Sequence, residues 1–247
     1  MSTPGKVAAV QILGKSHLRS GQPCQDYATG RRRGSVAAVA LADGAGSRAH
    51  SEVGARASVL ATLRFVLGDF EGMYAAIRSD PESVKGAISS KLRDVLAREA
   101  SKLGQPIDQL ASTLLFASVC AGRFVAGHLG DGAIVLDKRE APLSVLSHPD
   151  NGEYANSTFF TTDHGAAGRL RLYSGQMEAG GLALMSDGAA EALYHRETRL
   201  PAPAIRQLMD WHQRLERRKM EDVLAQNLGG AMCKSTDDLS LALICTS

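Results

Sequence analysis

Four carboxylate positions stand at the edges of apolar runs: Asp43 in "ALADGAG", Asp131 in "HLGDGAI", Asp187 in "LMSDGAA" and the pair Asp237-Asp238 in "STDDLSLALI". Taken singly, Asp-Gly is a turn signal, and Asp131, lying between two strand-like runs, suits a hairpin turn. Asp43 and Asp187 differ, because helix-like sequence follows each of them and no returning strand does. A carboxylate there could cap the next helix. If several of these groups converge, electrostatics demands a cation. Two carboxylates about 4 Å apart repel by roughly 4 kcal/mol at an effective dielectric near 20, so such a cluster takes up protons or binds metal. Aspartate oxygens without patterned His or Cys suit a hard ion, Mg²⁺ or Mn²⁺. Gly44, lacking a side chain, can offer its backbone carbonyl as a further oxygen ligand, and stiff strand ends can hold two ions roughly 3.5–4 Å apart.

The elements that would position these groups are legible from hydrophobic pattern. Residues 7–13 form a short apolar run, and "SVAAVALAD" (35–43) is too apolar throughout to have an exposed face. Between them lies the polar segment "GKSHLRSGQPCQDYATG". Helices are predicted over 51–67, with Gly68 as a stop, and over 81–103, with Asp80 as N-cap, Pro81 in the first turn and Gly104 after the end. "STLLFASVCAGRFVAGHLGDGAIVLDK" reads as three strands of an antiparallel meander, broken at Ala121-Gly122 and Asp131-Gly132. Further strands are expected at 143–147, 170–174 and 181–185, a short helix after Asp187, longer helices over 203–228, and a final strand "LSLALICT". Strands and helices do not alternate as a parallel sheet requires. The expectation is one α+β domain over residues 1–247, antiparallel sheets covered by helices.

Bulk properties narrow the function classes. The 247 residues are 44% hydrophobic, 22% charged and 5% aromatic, with a formal net charge of +2. That balance gives no polyanion-binding bias, and Arg31-Arg32-Arg33 reads as a solvated turn without the aromatics that nucleic-acid grooves use. No stretch resembles a signal peptide, and none approaches the roughly 20 apolar residues of a membrane span. Cys24, Cys120, Cys233 and Cys245 are scattered without a C-x-x-C pair, which argues against a zinc site or a disulfide framework and points to a cytoplasmic chain with reduced thiols.

In order along the chain, "GQPCQD" (21–26), "ADGAG", "LGDG", "MSDG" and "TDDLSLAL" resemble the motif set of the metal-dependent protein phosphatases of type 2C. "GEYANSTFF" (152–160) is similar to a segment of a compact bacterial branch of that family. The resemblance implies a four-layer α-β-β-α sandwich of two antiparallel sheets with a metal site at one edge. It implies that Asp43 bridges two ions of Mg²⁺ or Mn²⁺, that Gly44 adds its carbonyl, that Asp187 and Asp237 complete one site, and that Asp131 lies near a third ion. A metal-activated water would then hydrolyse phosphoserine or phosphothreonine in a phosphoprotein, opposite a Ser/Thr protein kinase. Gln25 stands where many members have Glu, Asp26 keeps the neighbouring acid, and Asp238 stands where many have Asn, so these three are read as supporting the ligands. Ala45 replaces a histidine that some relatives use as a general acid, leaving His50, His128 and His164 as proton-donor candidates. The family's phosphate-binding arginine has no clear match, and Arg19 and His17 are the candidates by proximity. Two other readings stay open: a catalytically weak or inactive module that binds a phosphoprotein partner, and a metal hydrolase for a small phosphorylated metabolite.

Overall fold

The computed structural model describes residues 5–150, 158–230 and 235–246. Most of the segment 152–160, including the stretch up to residue 157, therefore lies outside the described residues. The chain opens with β1 (Lys6–Ile12), a short helix α1 (Lys15–Ser20), then β2 (Tyr27–Arg33) and β3 (Val36–Ala42). Three helices follow, α2 (Ser51–Gly68), α3 (Phe70–Ser79) and α4 (Pro81–Leu103), and a 3₁₀ turn at Ile107–Leu110 leads back to the sheets. Next come β4 (Leu114–Cys120), β5 (Arg123–Leu129), β6 (Ala133–Lys138), β7 (Ser144–Ser147), the single-turn α5 (Ala166–Arg169), β8 (Arg171–Gln176) and β9 (Gly180–Met185). The last part holds α6 (Asp187–Leu193), the two-residue strands β10 (Tyr194–His195) and β11 (Leu200–Pro201), α7 (Ala204–Arg214), α8 (Arg217–Gly229) and β12 (Leu239–Thr246).

Two five-stranded antiparallel sheets result, ordered β1-β12-β9-β6-β7 and β2-β3-β4-β5-β8. Their inner faces meet in one core, and each outer face is covered by helices. Strand β3 shows why such strands are apolar at every position. Ala37, Val39 and Leu41 point into the core between the sheets, while Ala38, Ala40 and Ala42 pack under the helices with Val59, Leu63 and Phe70. On the other side Ala242 and Ile244 of β12 face the sheet core, and Leu241 and Leu243 face Leu208, Met220 and Leu224 of α7 and α8. This is the α-β-β-α sandwich. Strand ends held in this way on both faces have little freedom, which suits them to present ligands.

Two local expectations change. The meander is not continuous. β4 and β5 do form a tight hairpin, with Cys120 opposite Arg123 and left-handed backbone at Ala121 (φ 47°) and Gly122 (φ 72°). After β5, however, the chain leaves that sheet, and β6 pairs with β7 and β9 of the other one. Gly130, at φ 114°, makes the exit, and Asp131 sits on the crossing between sheets and not in a hairpin. The second change is an additional helix, α3, between the two predicted over 51–67 and 81–103. Asp69 starts it by accepting from the Gly72 N–H at 2.8 Å, just as Asp80 starts α4 by accepting from Ser83 N–H at 3.2 Å.

Candidate metal centre

The end of β3 is fixed from three sides. The Asp43 N–H donates to Thr113 Oγ1 (2.9 Å), Thr113 N–H donates to the Asp43 carbonyl (2.8 Å), and Ala45 N–H donates to the Ala111 carbonyl (3.0 Å). Gly44 itself donates to the Gln25 carbonyl at 3.1 Å. The bridge from Gly44 to Ser112 uses Asp43 and Ala45, so the Gly44 carbonyl takes no part in it. A Cβ at position 44 would lie 2.8 Å from the Gln25 carbonyl oxygen and 2.9 Å from Ser51 Cβ. Close approach of three backbone segments therefore requires glycine there.

Asp187 follows β9 directly. Ser186 locks this point to β12: its N–H donates to the Ser240 carbonyl (3.0 Å), and its hydroxyl accepts from Ser240 N–H (2.9 Å). Asp187 Oδ1 accepts from Gly188 N–H at 2.6 Å as α6 begins. Asp237 Oδ1 accepts from Asp238 N–H at 2.9 Å. Asp131 Oδ2 accepts from the Thr158 hydroxyl at 2.5 Å.

These groups share one cleft of about 260 Å³, lined by Asp43, Gly44, Asp131, Asp187, Asp237 and Asp238, with Gln25, Ala45, Thr113, Thr158 and Phe160 among its other walls. Five carboxylates line it, and among the described residues no Lys, Arg or His does. The consequence appears in their titration. Asp43 is pushed well above the usual carboxylate range, first by burial and then by the charges of Asp26, Asp187 and Asp131. Asp187 is raised as well, by burial and then by Asp131, with Asp237 adding to it. Each carboxylate makes its neighbour harder to ionise, the signature of a missing positive charge.

A hard divalent ion fits this donor set, which is oxygen only. Among the described residues no group of three His, Cys, Asp or Glu side chains could by itself hold a metal ion as the side chains stand. The shell has to be completed by a carbonyl such as that of Gly44 and by water, which Mg²⁺ in particular retains.

The remaining sequence candidates take other places. Asp238 is 3% exposed and ties three segments together. Its Oδ1 accepts from Gly14 N–H (2.6 Å), and its Oδ2 accepts from Gln25 N–H (2.6 Å) and meets His17 Nδ1 (2.9 Å). His17 is thus committed to Asp238, and Arg19 is exposed on α1; among the described residues neither lines the cleft, in contrast to the phosphate-contact reading. Asp26 is buried behind the cleft, and neither of its carboxylate oxygens has a hydrogen-bond partner among the described residues. Burial pushes its carboxyl up to about 7, and the charge of Asp238 adds to the rise, while Ser240 and Ser186 oppose it from outside hydrogen-bonding geometry. Arg48 pairs with Asp108 at 3.0 Å, and His164 is exposed. His128 is fully buried with Ser147 (2.8 Å) and Arg171 (3.0 Å), and burial foremost holds its imidazole well below the usual range. Sequence reasoning passed over Thr113 and Thr158, whose hydroxyls hold Asp43 and Asp131. Nothing in the local sequence around either threonine marks that role.

The profile of one protein family, described as protein phosphatase 2C, matches residues 13–229. The chain belongs to that family. A curated relative, serine/threonine-protein phosphatase 3 of Escherichia coli strain K12, is 28% identical over 188 residues, which cover 74% of this chain and 73% of that protein. Among solved structures, PppA of Pseudomonas aeruginosa, described as a key regulatory component of T6SS, superposes with a TM-score of 0.63 at 17% identity, covering 100% of this chain and 99% of that one. The catalytic domain of the serine threonine protein phosphatase PstP, solved with two manganese ions, gives a TM-score of 0.63 at 19% identity over 98% of each chain. Protein phosphatase 2C folds and this sandwich are therefore the same architecture, and the family is one of metal-dependent protein phosphatases. Among the described residues no helix is long and apolar enough to cross a membrane.

Proposed function

We propose that residues 1–247 form one type 2C-like catalytic domain that hydrolyses phosphoserine and phosphothreonine in proteins, using Mg²⁺ or Mn²⁺ held in the carboxylate cleft and acting opposite a Ser/Thr protein kinase. The observation that carries this is the charge imbalance of the cleft. A phosphate monoester brings up to two negative charges to a site that already holds five carboxylates and, among the described residues, no cationic side chain. Cations must come with it. Asp43, at the centre of the repulsion, would be shared by two ions, with the Gly44 carbonyl beside it, Asp187 and Asp237 would complete one site, and Asp131 would serve a third. Divalent ions held there would supply a water nucleophile at neutral pH and offset charge on the phosphoryl oxygens.

The chain's own residues do the positioning. Thr113 holds the Asp43 backbone, Thr158 orients the Asp131 carboxylate, and Ser186 and Ser240 fix the strand ends from which Asp187 and Asp237 project. Asp238 and His17 hold the Gln25 segment against Gly44. The two manganese ions in the PstP structure and the name of the E. coli relative support the same reading.

The test is hydrolysis of phosphoserine, phosphothreonine and phosphotyrosine peptides with Mn²⁺, Mg²⁺ or EDTA. Turnover of the first two should require metal and disappear in Asp43→Ala and Asp237→Ala. Metal binding with no turnover of any phosphopeptide would favour the non-hydrolytic binding module, and faster turnover of a free phosphorylated metabolite would favour the small-molecule hydrolase.

A further inference from the structure

A second polar cavity, of about 330 Å³, lies beside the carboxylate cleft and is lined by His148, Pro149, Asp150, Tyr194, Arg196 and Arg199. Its outer wall is the hairpin of β10 and β11, in which Tyr194 pairs with Pro201 and His195 with Leu200. The four residues between those pairs, 196–199, are all exposed. Arg199 has φ 57°, a left-handed backbone that a non-glycine side chain rarely adopts.

Among the described residues, the arginines of this wall are free of the ion pairs that hold five others in the molecule. Arg48, Arg123, Arg139, Arg206 and Arg217 each pair with a carboxylate, whereas Arg196 and Arg199 have no acidic partner within ion-pair distance among the described residues. Asp150 contributes one negative charge to the cavity, which leaves the arginine pair in excess. The floor is a ring pair, His148 against Tyr194, joined by a 2.9 Å contact between Nδ1 and the phenol oxygen. Burial, together with the charges of Arg199 and Arg171, keeps this imidazole below its ordinary range, so His148 adds a polar surface and not a third cation at neutral pH.

Two backbone links tie the cavity wall to the cleft. Asp150 N–H donates to the Gly130 carbonyl at 3.1 Å, and Gly130 precedes Asp131. Helix α6 runs from Asp187 in the cleft to the residue before Tyr194 in the cavity wall; its seven residues span roughly 10 Å at 1.5 Å each. An extended peptide covers that distance in about three residues.

We propose that Arg196 and Arg199 form a docking subsite for an anionic side chain, a carboxylate or a second phosphate, about three residues from the phosphorylated residue being hydrolysed. This rests on the phosphoprotein phosphatase reading above. The subsite makes the enzyme selective for acidic or multiply phosphorylated segments. Guanidinium forks bind carboxylate and phosphate alike, so the chemistry is shared and the two sources are separated only by experiment.

The experiment compares kcat/KM of the wild type, Arg196→Ala/Arg199→Ala and Arg196→Lys/Arg199→Lys in Mn²⁺. The substrates are a neutral phosphothreonine peptide, versions carrying Glu or phosphoserine three residues to either side, and p-nitrophenyl phosphate, which is too small to reach the subsite. The wild type should prefer an anionic peptide, and the Ala double variant should lose roughly tenfold on it while handling p-nitrophenyl phosphate as before. The Lys variant should recover part of the preference, and added salt should weaken it. A stronger effect with the phosphoserine peptide than with the Glu peptide assigns the subsite to a second phosphate, and the reverse assigns it to carboxylates. Equal kcat/KM for neutral and anionic peptides in the wild type, or an undiminished preference in the Ala variant, overturns the subsite and leaves the phosphatase reading intact. Failure of the wild type to hydrolyse even p-nitrophenyl phosphate overturns both.

Discussion

Replacing Asp238 by Asn changes one atom and removes one hydrogen-bond acceptor. The native carboxylate uses both oxygens, Oδ1 for Gly14 N–H at 2.6 Å and Oδ2 for Gln25 N–H at 2.6 Å and His17 at 2.9 Å. An amide can face only one side with its oxygen. If that oxygen serves Gln25 and His17, the NH₂ group confronts the Gly14 N–H, donor against donor, in a site where the residue is 3% exposed. The space does not allow escape, because Gly14 packs so closely on the Asp237–Asp238 peptide that a Cβ there would sit 2.7 Å from the Asp238 nitrogen. A hydrogen bond to a charged group contributes about 1.5–3 kcal/mol, and a buried donor left unpaired costs about 1–3 kcal/mol. Losing the negative charge relieves Asp26, which Asp238 raises, and offsets part of this. A net loss of about 2 kcal/mol is expected, or roughly 4–8 °C in melting temperature for a chain of this size. Urea denaturation of wild type and Asp238→Asn in EDTA at pH 7 measures it directly. A difference below about 0.5 kcal/mol would refute the view that this carboxylate fastens β1, the Gln25 segment and β12 together.

Metal-free protein should lose stability as pH rises from about 4 to 7. Asp26, raised to about 7, and Asp43 and Asp187, also raised, hold protons in the folded state that they release when unfolded, so unfolding is favoured as pH climbs through that window. Melting curves in EDTA should show this slope, and Asp26→Asn should flatten it. Asp43→Asn should raise the melting temperature in EDTA at pH 7 while lowering turnover by at least a hundredfold, since it removes the cost of folding a carboxyl whose ionised form burial and its neighbours oppose, and removes a shared ligand with it; a variant that loses stability and keeps activity would contradict both parts. Gly44→Ala should cost stability and more than tenfold in Mn²⁺ affinity by calorimetry, because its Cβ meets Gln25 and Ser51 at 2.8–2.9 Å.

Strands buried on both faces were readable from β3 and β12, since apolar residues at every position leave no exposed side. The carboxylates at their ends were readable for the same reason: a polar residue that stops such a run needs a local explanation. What could not be read is long-range. The Asp-Gly at 131–132 has the same local chemistry as a hairpin turn, and only the pairing of β6 with β9 rather than β5 shows it to be a crossing between sheets. His17 meets Asp238 across 221 positions of chain, and Arg48 turns to Asp108, neither of which leaves a trace in local sequence. The docking arginines were hidden likewise, because 195–222 is dense in charge and reads as a solvated face until the hairpin sets Arg196 and Arg199 against His148 and Asp150.

The measurement that bears most directly on the carboxylate cleft is an anomalous diffraction map from Mn²⁺-soaked crystals. Two peaks roughly 3.5–4 Å apart, sharing Asp43 and flanked by Gly44, Asp187 and Asp237, are predicted. Manganese absent from the cleft under conditions in which the same protein hydrolyses a phosphopeptide would contradict the assignment.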